Sequence, residues 1–341
     1  MKLTLEQMQS ITLGAHRVVL EEGKLRFHRF TEEEERFYQH RDDTLGRSFR
    51  FRCKAPAGMR LSFLTDSRSL RIAATVGVAT PRSYFSFDVF EDGAPVGYLD
   101  NFGEEKFLGN FTEVALPLGT FEKTFSLREG ESRVSVYLPW SVVIEDMTVE
   151  LDDGATLVPV RPEKKYLVYG DSITQGYDAL RPSHRYAARL SDLFGAEEIN
   201  KANGGEIFVP PLAAMKVDFA PDYITVAYGT NDWSTTDGEG FLRDAKSFYE
   251  TLSSYYPEAK IFAITPIWRA NFEEEKPFGT FAEVEERIRK ATEGLPNVRV
   301  ISGFALVGHD VNLFADLRLH PRDEGFDEYF ENLSKKIGEY I

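Results

Sequence analysis

The sequence predicts a two-part chain. An all-β sandwich of jelly-roll type would occupy residues 1–160, and an α/β domain with a doubly wound, parallel, five-stranded sheet would occupy residues 161–341. Three observations predict it. Before residue 160, short segments of alternating polarity dominate, separated by turn clusters such as APAG, EDGAP and REGES. After it, apolar runs of strand length alternate with segments of helical period. Between them, LDDGATLVPVRPEKK (151–165) carries two prolines, a turn and a charge cluster, as a junction does.

In the first half the strand-like segments are RVVLEEGKLRFHRF (17–30), RSFRFRC (47–53), RLSFLTDS (60–67), LRIAATV (70–76), YFSFDVFEDG (84–93), GYLDN (97–101), EVALPLG (113–119), TFSL (124–127), SRVSVYL (132–138) and MTVELDD (147–153). Their number and spacing suit a sandwich. TEEEER (31–36) reads as a solvated charge run rather than a helix. In the second half, KKYLVYG (164–170), EEIN (197–200), DYITVAYG (222–229), AKIFAITP (259–266) and VRVISG (298–303) read as strands. HRYAARLSDLF (184–194), VPPLAAMKVDF (209–219), GFLRDAKSFYETLSSYY (240–256), FAEVEERIRKATEGL (281–295) and the segment 323–341 read as helices.

Bulk properties narrow the function. The chain has 341 residues, enough for two domains at roughly 100–200 residues each, with one large domain as the alternative. Its formal net charge of −15 argues against nucleic acid and anionic membrane surfaces as partners. Its one cysteine, Cys53, excludes an intrachain disulfide and a cysteine metal cage. No apolar run approaches the ~20 residues of a membrane span, and the first residues lack the apolar stretch of a signal peptide. The expectation is a cytoplasmic protein, with a homo-oligomer left open.

In an open α/β sheet, sites gather where the strands end at their carboxyl edge. Polar residues follow each strand there. Gly170-Asp171-Ser172 follows the first, Asn200 to Gly205 the second, Gly229-Thr230-Asn231-Asp232 the third, and Thr265 to Arg269 the fourth. Asp316 to Pro321 lies past the fifth. A serine nucleophile needs a base and oxyanion donors. Ser172 at a strand-to-helix turn, His320 as base, Gly205 as a backbone donor and Asn231 as a side-chain donor make a plausible ester-cleaving set. Asp171 suits a structural role in the turn. Metal, dinucleotide and phosphate-loop motifs are absent, as is GxSxG, because Thr174 stands two residues after Ser172. The other histidines, His16, His28, His40, His184 and His309, read as surface or structural residues.

GDSITQG (170–176), the glycine of NKANGG (200–205), GTND (229–232) and a C-terminal Asp…His-Pro, in that order, resemble the four blocks of the GDSL/SGNH hydrolase family. The resemblance covers residues 163–341 and implies an SGNH (flavodoxin-like) fold. It implies Ser172 as nucleophile and oxyanion donor, Gly205 and Asn231 as the other oxyanion donors, and His320 as general base. No cofactor and no metal are implied. The family usually places its aspartate three residues before the histidine. Leu317 stands there, and Asp316 lies one residue further back. Either a local bulge brings Asp316 to the imidazole, or a backbone carbonyl orients His320 instead.

Trp233 and Trp268 follow the third and fourth strands and either line the substrate pocket or pack the core; Tyr177 and Arg269 are weaker candidates of that kind. A β-sandwich before such a domain resembles certain carbohydrate esterases and acyl-transfer enzymes. Phe85, Phe87, Tyr98 and Trp140 could stack on sugar rings or fill the sandwich core. The expected function is a serine esterase removing a short acyl group, acetyl in size, from a sugar-like or other small alcohol. The alternatives are an acyltransferase using the same site and a catalytically silent glycan-binding protein.

Overall fold

Alternation of buried and exposed side chains organises the first part of the chain. In the computed structural model, which describes residues 1–41, 46–105 and 107–341, Ser69–Val78 alternates along nearly its whole length between buried and half-buried positions. It pairs antiparallel with Val142–Leu151 and Gly119–Ser126 in one sheet. The facing sheet runs Thr12–Leu13, Arg60–Thr65, Ser132–Tyr137, Ser86–Glu91, Ala94–Asp100, with Val158–Pro159 added against Arg60–Thr65. Arg17–Glu21 and Lys24–His28 form a separate hairpin. Leu61, Phe63, Ile72, Val134, Val136 and Val149 meet in one core contributed by both sheets, which makes this part a β-sandwich.

Three local expectations are corrected. RSFRFRC is a helix, Gly46–Arg52, rather than a strand. Phe49 and Cys53 are spaced i, i+4, so one helical face buries both, while Phe51 points to solvent at 43% exposure. TEEEER opens a true helix, Glu32–His40. Thr31 Oγ1 accepts from the Glu34 amide and the Glu34 carboxylate accepts from the Thr31 amide, a reciprocal cap. Residues 113–118 of EVALPLG form no strand, and the strand begins only at Gly119. The Leu116 amide donates to Ser83 Oγ and the Pro117 carbonyl accepts from Asn101, so side chains replace the ladder partners a strand would need. Phe85, Phe87 and Trp140 are buried in the sandwich, the packing alternative for these aromatics. The Tyr98 ring lies 3.6 Å beneath the Arg181 guanidinium.

The second part is a five-stranded parallel sheet with helices between its strands. The strands are β1 (Lys164–Gly170), β2 (Ala196–Asn200), β3 (Tyr223–Ala227), β4 (Lys260–Ile264) and β5 (Val298–Ile301), in the spatial order β2-β1-β3-β4-β5. The helices are α1 (Ser172–Gln175), α2 (Tyr186–Phe194), α3 (Pro210–Ala214), α4 (Asp232–Thr235), α5 (Gly238–Tyr255), α6 (Ala282–Ala291) and α7 (Asp323–Ile337). The chain moves from β1 outward to β2, then returns past β1 to β3. This reversal leaves a crevice beyond the carboxyl ends of β1 and β3, where open α/β sheets bind their ligands. Tyr166, Val168, Phe262, Ile264, Phe326 and Leu333 belong to the core on one side of the sheet.

By contact the chain divides into two compact units. The first is Met1–Glu163 with Leu180–His184 and Glu197–Asn200, and the second is the remainder. Within the first unit, Arg181 donates to Ser86 and Asp100, and the Ser183 amide and hydroxyl both donate to the buried carboxylate of Asp88.

Ile224, fully buried on the central strand β3, has no room to be replaced without a cavity. Ile224→Ala should destabilise the second unit by about 2–5 kcal/mol. Val78→Ala, at a position 71% exposed, should change stability by less than about 0.5 kcal/mol. Urea titrations of both variants check the contrast.

Candidate active site

Ser172 sits where β1 ends and the chain turns at once into α1. Asp171 makes that turn. Its carboxylate accepts from the Ile173 amide at 2.9 Å and caps the helix, so the sequence expectation of a structural role fits its position. Burial pushes the Asp171 carboxyl up to about 7, against the Ile173 amide and the charges of His320 and Arg269, which pull it down.

Ser172 Oγ lies 2.9 Å from His320 Nε2. His320 Nδ1 lies 2.9 Å from Asp316 Oδ2. The structure thus brings together three residues that stand up to 148 positions apart in sequence. Asp316 reaches the imidazole despite its extra residue of spacing because Leu317 adopts the left-handed conformation, with φ of 55°. The loop closes on itself where the Ala315 amide donates to the His320 carbonyl. Asp316 Oδ1 accepts from the amides of Arg318, Leu319 and His320. Burial alone would raise the Asp316 carboxyl. The His320 hydrogen bond, its charge and the loop amides outweigh that and hold it far below the usual carboxylate range.

The remaining expected site residues arrive from β2 and β3. Gly205 has φ of 85°, a conformation that favours glycine. At its neighbour Gly204 a Cβ would stand 2.5 Å from the Tyr177 hydroxyl oxygen, so a larger residue there would have to displace the Tyr177 ring. Asn231 Nδ2 donates to the Glu206 carbonyl at 3.0 Å, which sets the Asn231 amide beside the Gly205 loop.

Successive loops are fastened to one another. The Asn203 amide donates to the Gly170 carbonyl, and the Gly204 amide to Gln175 Oε1. The Phe208 amide donates to Asp232 Oδ1. Arg269 Nη1 donates to the Thr230 carbonyl and hydroxyl. The Ala270 amide donates to the Arg318 carbonyl. Burial pushes Asp232 up to about 7, reinforced by the nearby charges of Asp171 and Glu206 and opposed by the Phe208 amide. Burial lowers Arg269 to about 10.

Trp233 is fully buried. Its Nε1 donates to the Gly279 carbonyl, its ring packs edge-on against Phe281, and the Arg269 guanidinium lies 5.0 Å from its ring centre. Trp268 is buried too, stacked on His309. Both are placed in packing contacts. Tyr177 stacks on the His320 ring with centroids 5.6 Å apart. Sequence reasoning missed Asp178, a fully buried carboxylate 3.5 Å from His320 Nδ1; it lies six residues after Ser172, two beyond the first block, and carries no motif of its own. Among the described residues, no group of three or more His, Cys, Asp or Glu is arranged to hold a metal ion. No described helix is long and apolar enough to cross a membrane.

Serine, imidazole and carboxylate thus stand in series at the strand-order reversal of a doubly wound sheet. Residues 168–327 match the GDSL-like Lipase/Acylhydrolase family model. The search of curated proteins gives no match. Among solved structures, the salicylyl-acyltransferase SsfX3 from a tetracycline biosynthetic pathway is similar over 96% of this chain and 94% of its own, with a TM-score of 0.77 at 20% identity. A putative GDSL-like lipase from Bacteroides ovatus is similar over 98% of this chain and 96% of its own, with a TM-score of 0.75 at 22% identity. A family two carbohydrate esterase from Clostridium thermocellum, solved with cellohexaose, covers 83% of this chain and 92% of its own, with a TM-score of 0.59 at 18% identity. These likenesses establish the fold: a β-rich unit followed by the α/β sheet.

The lowered pKa of Asp316 has a consequence for stability. A carboxylate depressed in the folded state stabilises it above the unfolded pKa of about 3.9, and that contribution is lost as pH falls toward the folded value. Asp316→Asn should therefore be less stable than the wild type at pH 7, with the gap narrowing below about pH 4. Denaturant melts at pH 7 and pH 3 measure it.

Proposed function

We propose that this protein is a serine esterase that removes short acyl groups, acetyl in size, from a sugar-like or other small alcohol. The observation that carries the reading is the hydrogen-bonded series Ser172 Oγ, His320 Nε2, His320 Nδ1, Asp316 Oδ2, with both links at 2.9 Å.

In this reading His320 Nε2 takes the Ser172 proton as Oγ attacks the ester carbonyl carbon. The oxyanion is held by the Ser172 and Gly205 amides and by Asn231 Nδ2. His320 then gives its proton to the departing alcohol, leaving an acyl group on Ser172. Water, deprotonated by the same imidazole, attacks the acyl carbon and the serine regains its proton. Asp316 holds Nδ1–H and stabilises the imidazolium that forms in each half.

The small acyl and sugar-like alcohol draw their support from fold neighbours described as carbohydrate esterases of family two and an acetyl xylan esterase. An acyltransferase is the second reading, favoured by the likeness to a salicylyl-acyltransferase across both units. It differs only in that an acceptor alcohol replaces water. The silent glycan-binding alternative rested on the displaced Asp316, and the His320 Nδ1–H that donates to Asp316 weighs against it.

A p-nitrophenyl ester series from acetyl to octanoyl tests the proposal. Turnover should be greatest with the shortest chains and fall at least ~10⁴-fold in Ser172→Ala. Turnover that survives Ser172→Ala would overturn it. kcat/KM should rise with pH to a plateau as the general base loses its proton, and a flat profile would contradict the reading. Asn231→Ala should lower kcat by about 10²–10³ with little change in KM, as loss of one oxyanion donor does.

A further inference from the structure

His320 faces two carboxylates, and only one was foreseeable from the block pattern. Asp316 Oδ2 lies 2.9 Å from Nδ1 and Asp178 Oδ2 lies 3.5 Å from the same nitrogen. The nucleophile turn delivers Asp178 there. After α1 the Gly176 and Tyr177 amides both donate back to the Ser172 carbonyl, and the Ala179 amide donates to the Gly176 carbonyl. Gly176, at φ 115°, and Asp178, at φ 72°, turn the chain sharply back. The result is a carboxylate with a side chain 0% exposed, set beside the imidazole by the same turn that presents the serine.

We propose that Asp178 is a second acidic positioning residue of the candidate site. It stabilises the imidazolium form of His320 and takes over Nδ1 when Asp316 is lost. The inference rests on the reading of His320 as the base. At 3.5 Å Asp178 is beyond a strong hydrogen bond, and the single Nδ1 proton belongs to Asp316. Asp178 therefore acts through charge at a close, desolvated distance. The other groups around the ring are Ser172 on Nε2, the stacked Tyr177, and Asp171, whose carboxyl burial pushes up against the pull of the imidazole charge. Arg269 and Arg318 oppose the acids, and Arg269 feels Asp316 and Asp171 in turn.

Removing a negative charge beside an imidazole lowers its pKa. The test compares wild type with Asp178→Asn, Asp178→Glu, Asp316→Asn and the double Asp178→Asn/Asp316→Asn variant. Asparagine matches aspartate in size and tolerates the left-handed backbone at this position, so the substitution leaves the fold in place. The first readout is the titration of His320 by NMR of histidine-labelled protein, its resonance assigned by its absence in His320→Gln. Asp178→Asn should lower that pKa by about 1 unit, and Asp178→Glu should largely restore it. The second readout is kcat/KM against pH on p-nitrophenyl acetate. The acid limb should move down with the NMR value while KM holds within about twofold. Adding Asp178→Asn to Asp316→Asn should remove a further tenfold or more of the remaining rate, the non-additivity of two groups serving one ring. An unchanged His320 titration in Asp178→Asn, or a double variant no slower than Asp316→Asn, overturns the inference. If wild type turns over no ester, the functional reading fails, while the NMR titration still decides the role of Asp178.

Discussion

The Asp316 carboxylate satisfies two demands with its two oxygens, and the candidate site depends on both being met. Oδ1 gathers three consecutive amides and so shapes the loop from residue 316 to 320. Oδ2 takes His320 Nδ1 and so sets the ring's tilt and leaves Nε2 facing the serine. Neither oxygen could do its work with the loop one residue tighter or looser, unless the backbone changed elsewhere. The compensation is made at Leu317, a non-glycine residue in left-handed space, at a cost on the order of 1–3 kcal/mol. The amides and the imidazole bonded to Asp316 offset that strain. The histidine is thus oriented by a carboxylate that is itself held by the turn it creates.

The same logic runs around the sheet edge. Strand order reverses between β1 and β3, so the loops after β1, β2 and β3 open into one crevice. Each loop is tied to the next: Gly170 to Asn203, Gln175 to Gly204, Glu206 to Asn231, and Asp232 to Phe208. Arg269 carries the chain of bonds from Thr230 to the β4 loop, and the Ala270 amide carries it on to Arg318 beside His320. Pre-set groups need no reorganisation when charge develops on a substrate oxygen. Desolvation is the cost of such fastening. It leaves Asp171 and Asp232 with carboxyls pushed up to about 7 in the middle of the frame.

Much of this was legible in the sequence, for identifiable reasons. The parallel sheet was legible because buried strands read as apolar runs and each is followed by a helix-period segment. The candidate positions Ser172, Gly205 and Asn231 could be picked out because each lies in a loop after a strand at one edge, and His320 because it stands in the C-terminal Asp…His-Pro block. What failed was local. Phe49, Phe51 and Cys53 alternate like a strand, and only the burial of Phe49 against the exposure of Phe51 separates helix from strand there. The Thr31-x-x-Glu34 cap was present in the sequence, but the run of glutamates around it read as solvated charge. EVALPLG alternates convincingly, and nothing in it announces that Ser83 and Asn101 serve its backbone. Asp178 was invisible because its importance comes from a turn that folds it under a residue 142 positions later, and such proximity leaves no local pattern.

The claim at the centre of this account is that an acyl group passes through Ser172. Rapid-quench mass spectrometry with p-nitrophenyl acetate tests it most directly, by mapping which residue carries the acetyl group during turnover. The account predicts one acetyl group on the peptide that contains Ser172, absent in Ser172→Ala and much slower to form in His320→Gln. Acetylation elsewhere with equal turnover, or an equal yield of acetylated protein in Ser172→Ala, would contradict it.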